Sequence, residues 1–121
     1  MAESKAIRSF QIVTGMDLSI VLDIDTTILT PDIAHETARF WASKDEVLEA
    51  SDGDDYQAVA RHAAGRLWGY LINGYTESGA VRELHEQEGW CWPGDSLGIT
   101  IRDYEIPDFD AASYEAQELE P

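Results

Sequence analysis

Hydrophobic and polar positions alternate most clearly over residues 17–25. Leu18, Ile20, Leu22 and Ile24 fall on one side, and Asp17, Ser19, Val21, Asp23 and Asp25 on the other. A period of two marks a half-buried antiparallel strand. Residues 7–14 read as its partner, with Phe10 and Ile12 on one face, and Gly15 supplies the turn of a hairpin. A third alternation, Leu97, Ile99 and Ile101, follows the turn Pro93-Gly94-Asp95 and the run Trp90-Cys91-Trp92. It predicts a second hairpin.

Between these ends the pattern turns helical. Thr30-Pro31-Asp32 has the form of a helix start: a Thr cap, a Pro at the first helical position and an acid near the positive end of the dipole. Ile33, Thr37, Phe40 and Trp41 follow at helical spacing. Ser43-Lys44-Asp45-Glu46 has the spacing of a capping box and predicts a short helix reaching about Ala50. Asp54 or Asp55 caps the next helix, which runs to about Ile72 and ends at Asn73-Gly74. Its apolar face carries Tyr56, Val59, Ala60, Ala63, Leu67, Trp68, Leu71 and Ile72. Gly65 and Gly69 inside it weaken a helix by roughly 1 kcal/mol each relative to Ala, so close backbone packing is their expected purpose. A last short helix is expected from Ala80 to about Glu88, with Val81 and Leu84 facing in.

Strands at both ends of a helical middle predict an α+β domain. Its small antiparallel sheet comprises the N-terminal hairpin plus C-terminal strands, with two to four helices packed on one face. The other face would carry Asp17, Asp23, Asp25, Arg102 and Tyr104. Residues 1–106 read as the single domain and 107–121 as an acidic C-terminal tail. With 44% hydrophobic residues, a chain of 121 residues has enough apolar surface for a core.

Charge changes the picture. Asp and Glu number 24 against 8 Lys and Arg, a net charge of -16. Asp45, Glu46, Glu49, Asp52, Asp54 and Asp55 crowd one stretch, and more acids follow Asp103. No acid lies between Tyr56 and Tyr75. A compact chain of this size is about 35 Å across, and duplex DNA carries roughly 20 charges over that length. The surplus is therefore comparable to that of nucleic acid. A field of this sign excludes direct nucleic-acid binding and an anionic membrane partner, and favours a basic protein surface. Solvation alone is the competing account, because added Asp and Glu keep proteins apart.

A single Cys91 allows no internal disulfide and fits a reducing compartment. The start Met-Ala-Glu-Ser-Lys has no apolar run behind it, and no stretch approaches the ~20 residues of a membrane span. A cytoplasmic location is expected.

Candidate chemistry is sparse. Asp23-Ile24-Asp25-Thr26-Thr27, after Ile20-Val21-Leu22, matches the nucleophile loop of haloacid-dehalogenase-like phosphatases, Asp-x-Asp-x-Thr, where the first Asp attacks phosphorus, the second is the acid/base and both help hold magnesium. That nucleophile leaves a parallel strand buried on both faces, whereas 17–25 alternates as a one-sided antiparallel strand. The spacing of His35, His62, His85 and Cys91 fits no common zinc pattern. The loop 51–55 lacks the spacing of a calcium loop. No metal, cofactor or catalytic residue is expected. Trp92, beside Pro93, is the expected exposed interface anchor.

The pattern Leu-Ser-Ile-Val-Leu-Asp-Ile-Asp, then Leu-Thr-Pro, Ala-His-Glu and Phe-Trp, then Glu-Gly-Trp-Cys and Gly-Ile-Thr-Ile, spans most of residues 7–106. It resembles a family of small acidic uncharacterised proteins found in phages and mobile elements of proteobacteria. The resemblance implies a setting in which acidic proteins imitate nucleic acid and interfere with host machinery.

The expectation is a non-enzymatic acidic binding protein. It would cover a basic surface of a host defence or DNA-binding protein through Asp45, Glu46, Glu49, Asp52, Asp54, Asp55 and Trp92. Asp103, Glu105, Asp108 and Asp110 would extend that edge. A soluble accessory domain, including a homo-oligomeric one, is the alternative, and a magnesium-dependent hydrolase using Asp23 and Asp25 is a distant third.

Overall fold

A computed structural model describes residues 6–15, 18–107, 112 and 115–119. Strands β1 (Ile7–Val13) and β2 (Ser19–Asp25) form the expected hairpin. Four helices follow: α1 (Pro31–Ala38), α2 (Lys44–Ala50), α3 (Asp55–Ile72) and α4 (Glu77–His85). Strand β3 (Ile99–Tyr104) then returns beside β2. The sheet has the order β1-β2-β3 and is antiparallel throughout. This is the α+β architecture that the pattern predicts.

The central strand shows why. Ile20, Leu22 and Ile24 are fully buried, and their register partners Ile12, Phe10, Ile101 and Ile99 share that face. Helix α3 supplies the other half of the core through Ala58, Val59, Ala60, Ala63, Ala64 and Leu67. Four of these six are alanines, whose small side chains let α3 sit close to its neighbours. Helix α1 meets it with Ala34, Thr37 and Ala38, and α4 with Ala80 and Leu84. Fully burying side chains such as Leu22, Leu67 and Leu84 contributes about 1.5–3 kcal/mol each.

Local signals set the helix ends. The Thr30 hydroxyl accepts from the Ile33 amide, and Pro31 opens α1. The Asp54 carboxylate accepts from the Tyr56 amide and opens α3, while Asn73 and the left-handed Gly74 (φ 95°) close it.

Several expectations require correction. Ser43 precedes α2 as expected, but at ψ 12° it makes no side-chain cap bond, so there is no capping box. Helix α4 begins at Glu77 rather than Ala80, because the Thr76 hydroxyl accepts from the Gly79 amide. The second hairpin is absent. Gly94 and Gly98 adopt positive φ (109° and 84°) and interrupt extended backbone, while Trp90 is drawn wholly into the core. Among the described residues, one C-terminal strand forms. Gly65 and Gly69 are exposed, and a side chain at either would meet nothing within 4 Å, so they do not serve close packing. Tyr104 is on the core face. Leu22 pairs with Ile101 and Val21 with Asp103, which leaves Arg102 as an extra residue in a β-bulge. The bulge shifts everything after it by one position and returns Tyr104 to the side of Ile20.

Candidate functional site

The acidic stretch divides into two kinds of carboxylate. Asp54 and Asp55 are structural. Asp54 caps α3 and takes two bonds from the Arg8 guanidinium of β1, at 2.8 and 3.3 Å. The Arg8 bond holds its pKa below the usual value, burial opposes this, and the Arg8 charge and the amides of Gln57 and Tyr56 add to the lowering. The same guanidinium lies 5.1 Å from the Phe10 ring centroid and 5.2 Å from that of Tyr56. Asp55 accepts from Arg39 at 2.9 Å and faces His35 Nδ1 at 3.2 Å, which ties the start of α3 to the end of α1.

Asp45, Glu46, Glu49 and Asp52 are different. All four are exposed, and among the described residues no cation pairs with any of them. Asp45 and Glu49 stand at i, i+4, and Glu46 and Glu49 at i, i+3, so like charges are neighbours on the helix surface. Such pairs cost about 0.2–0.5 kcal/mol each. Helix α2 buries none of its residues completely; Val47 and Leu48 half-bury against the core and hold it there.

Asp52 sits less comfortably still. The Gly53 amide bonds the Leu48 carbonyl at 2.8 Å and the Asp52 amide bonds that of Glu49 at 3.1 Å, the two bonds of a Schellman end. Asp52 thus occupies the left-handed position, at φ 55°, where glycine is usual. Its charge also stands at the negative end of the helix dipole.

Asp103 and Glu105 do not join this group. Arg8, which holds Asp54, pairs with Ile24, and Ile24 with Ile99. Asp103 pairs with Val21, and the Glu105 amide bonds the Ser19 carbonyl at the far end of the same strand. Two strands across, and three residues along for Asp103 or five for Glu105, place them about 15 and about 20 Å from Arg8, towards the opposite corner of the sheet. The Glu105 carboxylate accepts from the Ser19 amide at 3.0 Å, and its carbonyl accepts from Trp68 Nε1 at 2.8 Å. Asp17, Asp108 and Asp110 lie outside the described residues.

Trp92 is half-buried rather than prominent. Its ring is 5.8 Å from His85 and 6.0 Å from Trp90, and its carbonyl bonds His85 Nε2 at 2.9 Å. Phe40, expected at helical spacing on the first helix, lies past the end of α1 at Ala38 and is the exposed aromatic nearby, lining a hollow of about 250 Å³ with Trp92.

The other candidate chemistry is held in structural contacts. Asp23 is bound by Arg102 at 2.7 Å and by the Ser9 hydroxyl at 2.6 Å. Burial alone would raise its pKa, but the Ser9 and Arg102 bonds and the Arg102 charge bring it below the usual value. Asp25 accepts from the hydroxyl and amide of Thr27, which lower its pKa. The strand that bears them is antiparallel to both neighbours, unlike the parallel strand that carries a phosphatase nucleophile. The three histidines have separate partners, His62 stacking on Trp41 at 4.4 Å. Among the described residues no group of three or more His, Cys, Asp or Glu could hold a metal ion.

A family model described as a protein of unknown function (DUF2528) matches residues 19–114. The chain is a member of DUF2528. The match runs from the first residue of β2 through all four helices and β3, and continues past residue 106 into the acidic tail. The DUF2528 description assigns no activity. Neither a curated protein nor a solved structure matches the chain. Among the described residues no helix is long and apolar enough to cross a membrane.

Proposed function

We propose that this DUF2528 member is a non-enzymatic acidic binding protein of phage or mobile-element origin. Its α2 face imitates the charge of nucleic acid and occupies a basic, nucleic-acid-binding surface of a host defence or regulatory protein. The observation that carries this reading is the state of Asp45, Glu46, Glu49 and Asp52. They are four exposed carboxylates, without a cation partner among the described residues, on a helix that buries no residue completely. Local energetics disfavour that arrangement, and such departures from local rules concentrate at functional sites. The resemblance to proteins of mobile elements supplies the host setting.

The test neutralises those four positions with Asp45→Asn, Glu46→Gln, Glu49→Gln and Asp52→Asn, and leaves Asp54 and Asp55 intact because they hold the fold. Host lysate is passed over the immobilised chain at low and high salt. A nucleic-acid-binding protein should be retained at low salt, displaced by duplex DNA, and lost with the variant. Retention that ignores salt, or that survives neutralisation, sinks the reading. A change in solubility alone returns the surplus charge to plain solvation.

A further inference from the structure

We infer that the edge of β3 beside α4 is a strand-addition groove that takes an extended peptide with alternating apolar and basic residues. The Asp25 amide bonds the Gly98 carbonyl at 2.8 Å, which makes Ile24–Ile99 a non-hydrogen-bonded pair of the ladder. The backbone N–H and C=O of Ile99, and by alternation those of Ile101, therefore face away from β2. No other hydrogen bond among the described residues reaches them. Ile99 is nevertheless buried and Ile101 half-buried. More than nine in ten buried backbone groups are paired in folded proteins, roughly speaking.

These groups open onto a groove of about 430 Å³ between α4 and β3. Its apolar lining comes from Val81, Leu97, Ile99 and Ile101. An extended chain alone presents N–H and C=O groups at the spacing of a strand edge, and every second side chain then points at the apolar lining. The rim sets the sign of the rest. Glu77 and Asp95 border the groove against Arg82, with His85 also in its lining, and Asp103 within β3 and Glu105 just after it continue the acidity along the strand. With a net charge of -16 on the chain, Lys or Arg at the outward positions is favoured, and a second copy of the chain is repelled. The opposite edge, β1, opens on a smaller hollow of about 280 Å³ whose wall carries Gln57 and Arg61. That wall suits a basic strand less well. The inference depends on the proposed function only for the partner's positive charge.

The experiment titrates the full chain with a blocked heptapeptide alternating Val and Lys, followed by amide NMR and hydrogen exchange. Binding should slow exchange at Ile99 and Ile101 by about tenfold or more. The counterpart with Glu in place of Lys should bind at least tenfold more weakly, to order of magnitude. N-methylation of the alternate peptide amides that face β3 removes the edge bonds and should weaken binding about tenfold. N-methylation of the other set should leave it unchanged. Equal effects of the two N-methyl sets overturn the inference, as do unmoved Ile99 and Ile101 amides. Protection of those amides in the free chain would place its own tail there, and protection rising with protein concentration would place a second copy there; either outcome overturns it. The variant neutralised at Asp45, Glu46, Glu49 and Asp52 should still take the peptide, so this groove and the α2 reading fail separately.

Discussion

Asp52 and Asp54 are two residues apart in one acidic loop, and their replacement should change stability in opposite directions. Asp52 holds a left-handed conformation at φ 55°, which costs an ordinary side chain about 1–2 kcal/mol and Asp somewhat less. A carboxylate at the C-terminal end of a helix costs about 0.3–1 kcal/mol more. Glycine removes both terms, while its freer unfolded chain returns about 0.4–1 kcal/mol. Asp52→Gly should therefore stabilise by about 1 kcal/mol. Asp54 carries two roles that substitution separates. Asparagine caps a helix as well as aspartate does, so Asp54→Asn loses only the Arg8 pair. With 43% of Arg8 and 30% of Asp54 side-chain surface exposed, solvent screening limits that loss to about 0.5–1 kcal/mol. Asp54→Ala also loses the cap and should cost about 2 kcal/mol.

Urea unfolding at neutral pH reads both effects. A change of 1 kcal/mol moves the midpoint by about 0.5 M, upward for Asp52→Gly and downward for both Asp54 variants. The pH dependence has a definite sign. The folded pKa of Asp54 is depressed from 3.8, so its contribution is present above that value and lost as the pH falls through the folded pKa. The gap between wild type and Asp54→Asn should close in that window. Destabilisation by Asp52→Gly comparable to that by Asp54→Asn would refute the division into structural and surplus acids. It would also remove the argument that Asp52 is kept at a cost to the fold.

Two further outcomes follow from buried and exposed positions of α3. Gly65→Ala and Gly69→Ala place a methyl where nothing lies within 4 Å, so each should stabilise the isolated chain by up to about 1 kcal/mol; thermal melting of the two single variants checks this, and a loss in either would mean that this face is covered. His62 stacks on Trp41 with its Nε2 buried and unpartnered among the described residues, and burial, then the Arg66 charge, depresses its pKa from 6.5. That contribution is present above pH 6.5 and lost as the pH falls. His62→Phe keeps a stacked ring and should flatten the stability profile just below that pH, as urea midpoints across the range would show.

Much of the fold is legible because its signals are local. The Thr30-Pro31 start, the Asp54 cap, the Asn73-Gly74 stop and the alternation of Ile20, Leu22 and Ile24 each involve neighbours in sequence. What escapes the sequence is tertiary. Nothing local says that Gly94 and Gly98 will take positive φ and break the second hairpin. The bulge at Arg102 turns Tyr104 inward through a register that only pairing with β2 reveals. The candidate surface divides the same way. Crowding of acids around α2 is visible in the sequence. The pairing of Asp54 with Arg8, 46 residues away, is not, so the acids that hold the fold cannot be told from the surplus until their partners are known. The β3 groove is equally hidden, because it depends on where α4 is packed.

The distribution of cations bears on which account of the surplus charge is better. Arg8, Arg39 and Arg102 each join elements distant in sequence: β1 to α3, α1 to α3, and β3 to β2. Arg61 bonds the Ala50 carbonyl at 3.1 Å and so closes the end of α2 onto α3. Half of the 8 basic side chains are therefore engaged in holding the fold, and α2 itself carries only Lys44. Solvation is served by charges of both signs spread over a surface. It gives no reason to gather acids that meet no cation among the described residues at i, i+3 and i+4 on a helix that buries nothing completely, or to place one more in a left-handed cap at the wrong end of the dipole. A basic partner does give one: it would relieve the repulsion between these side chains as it binds, so the strain stored in the free chain becomes part of the affinity.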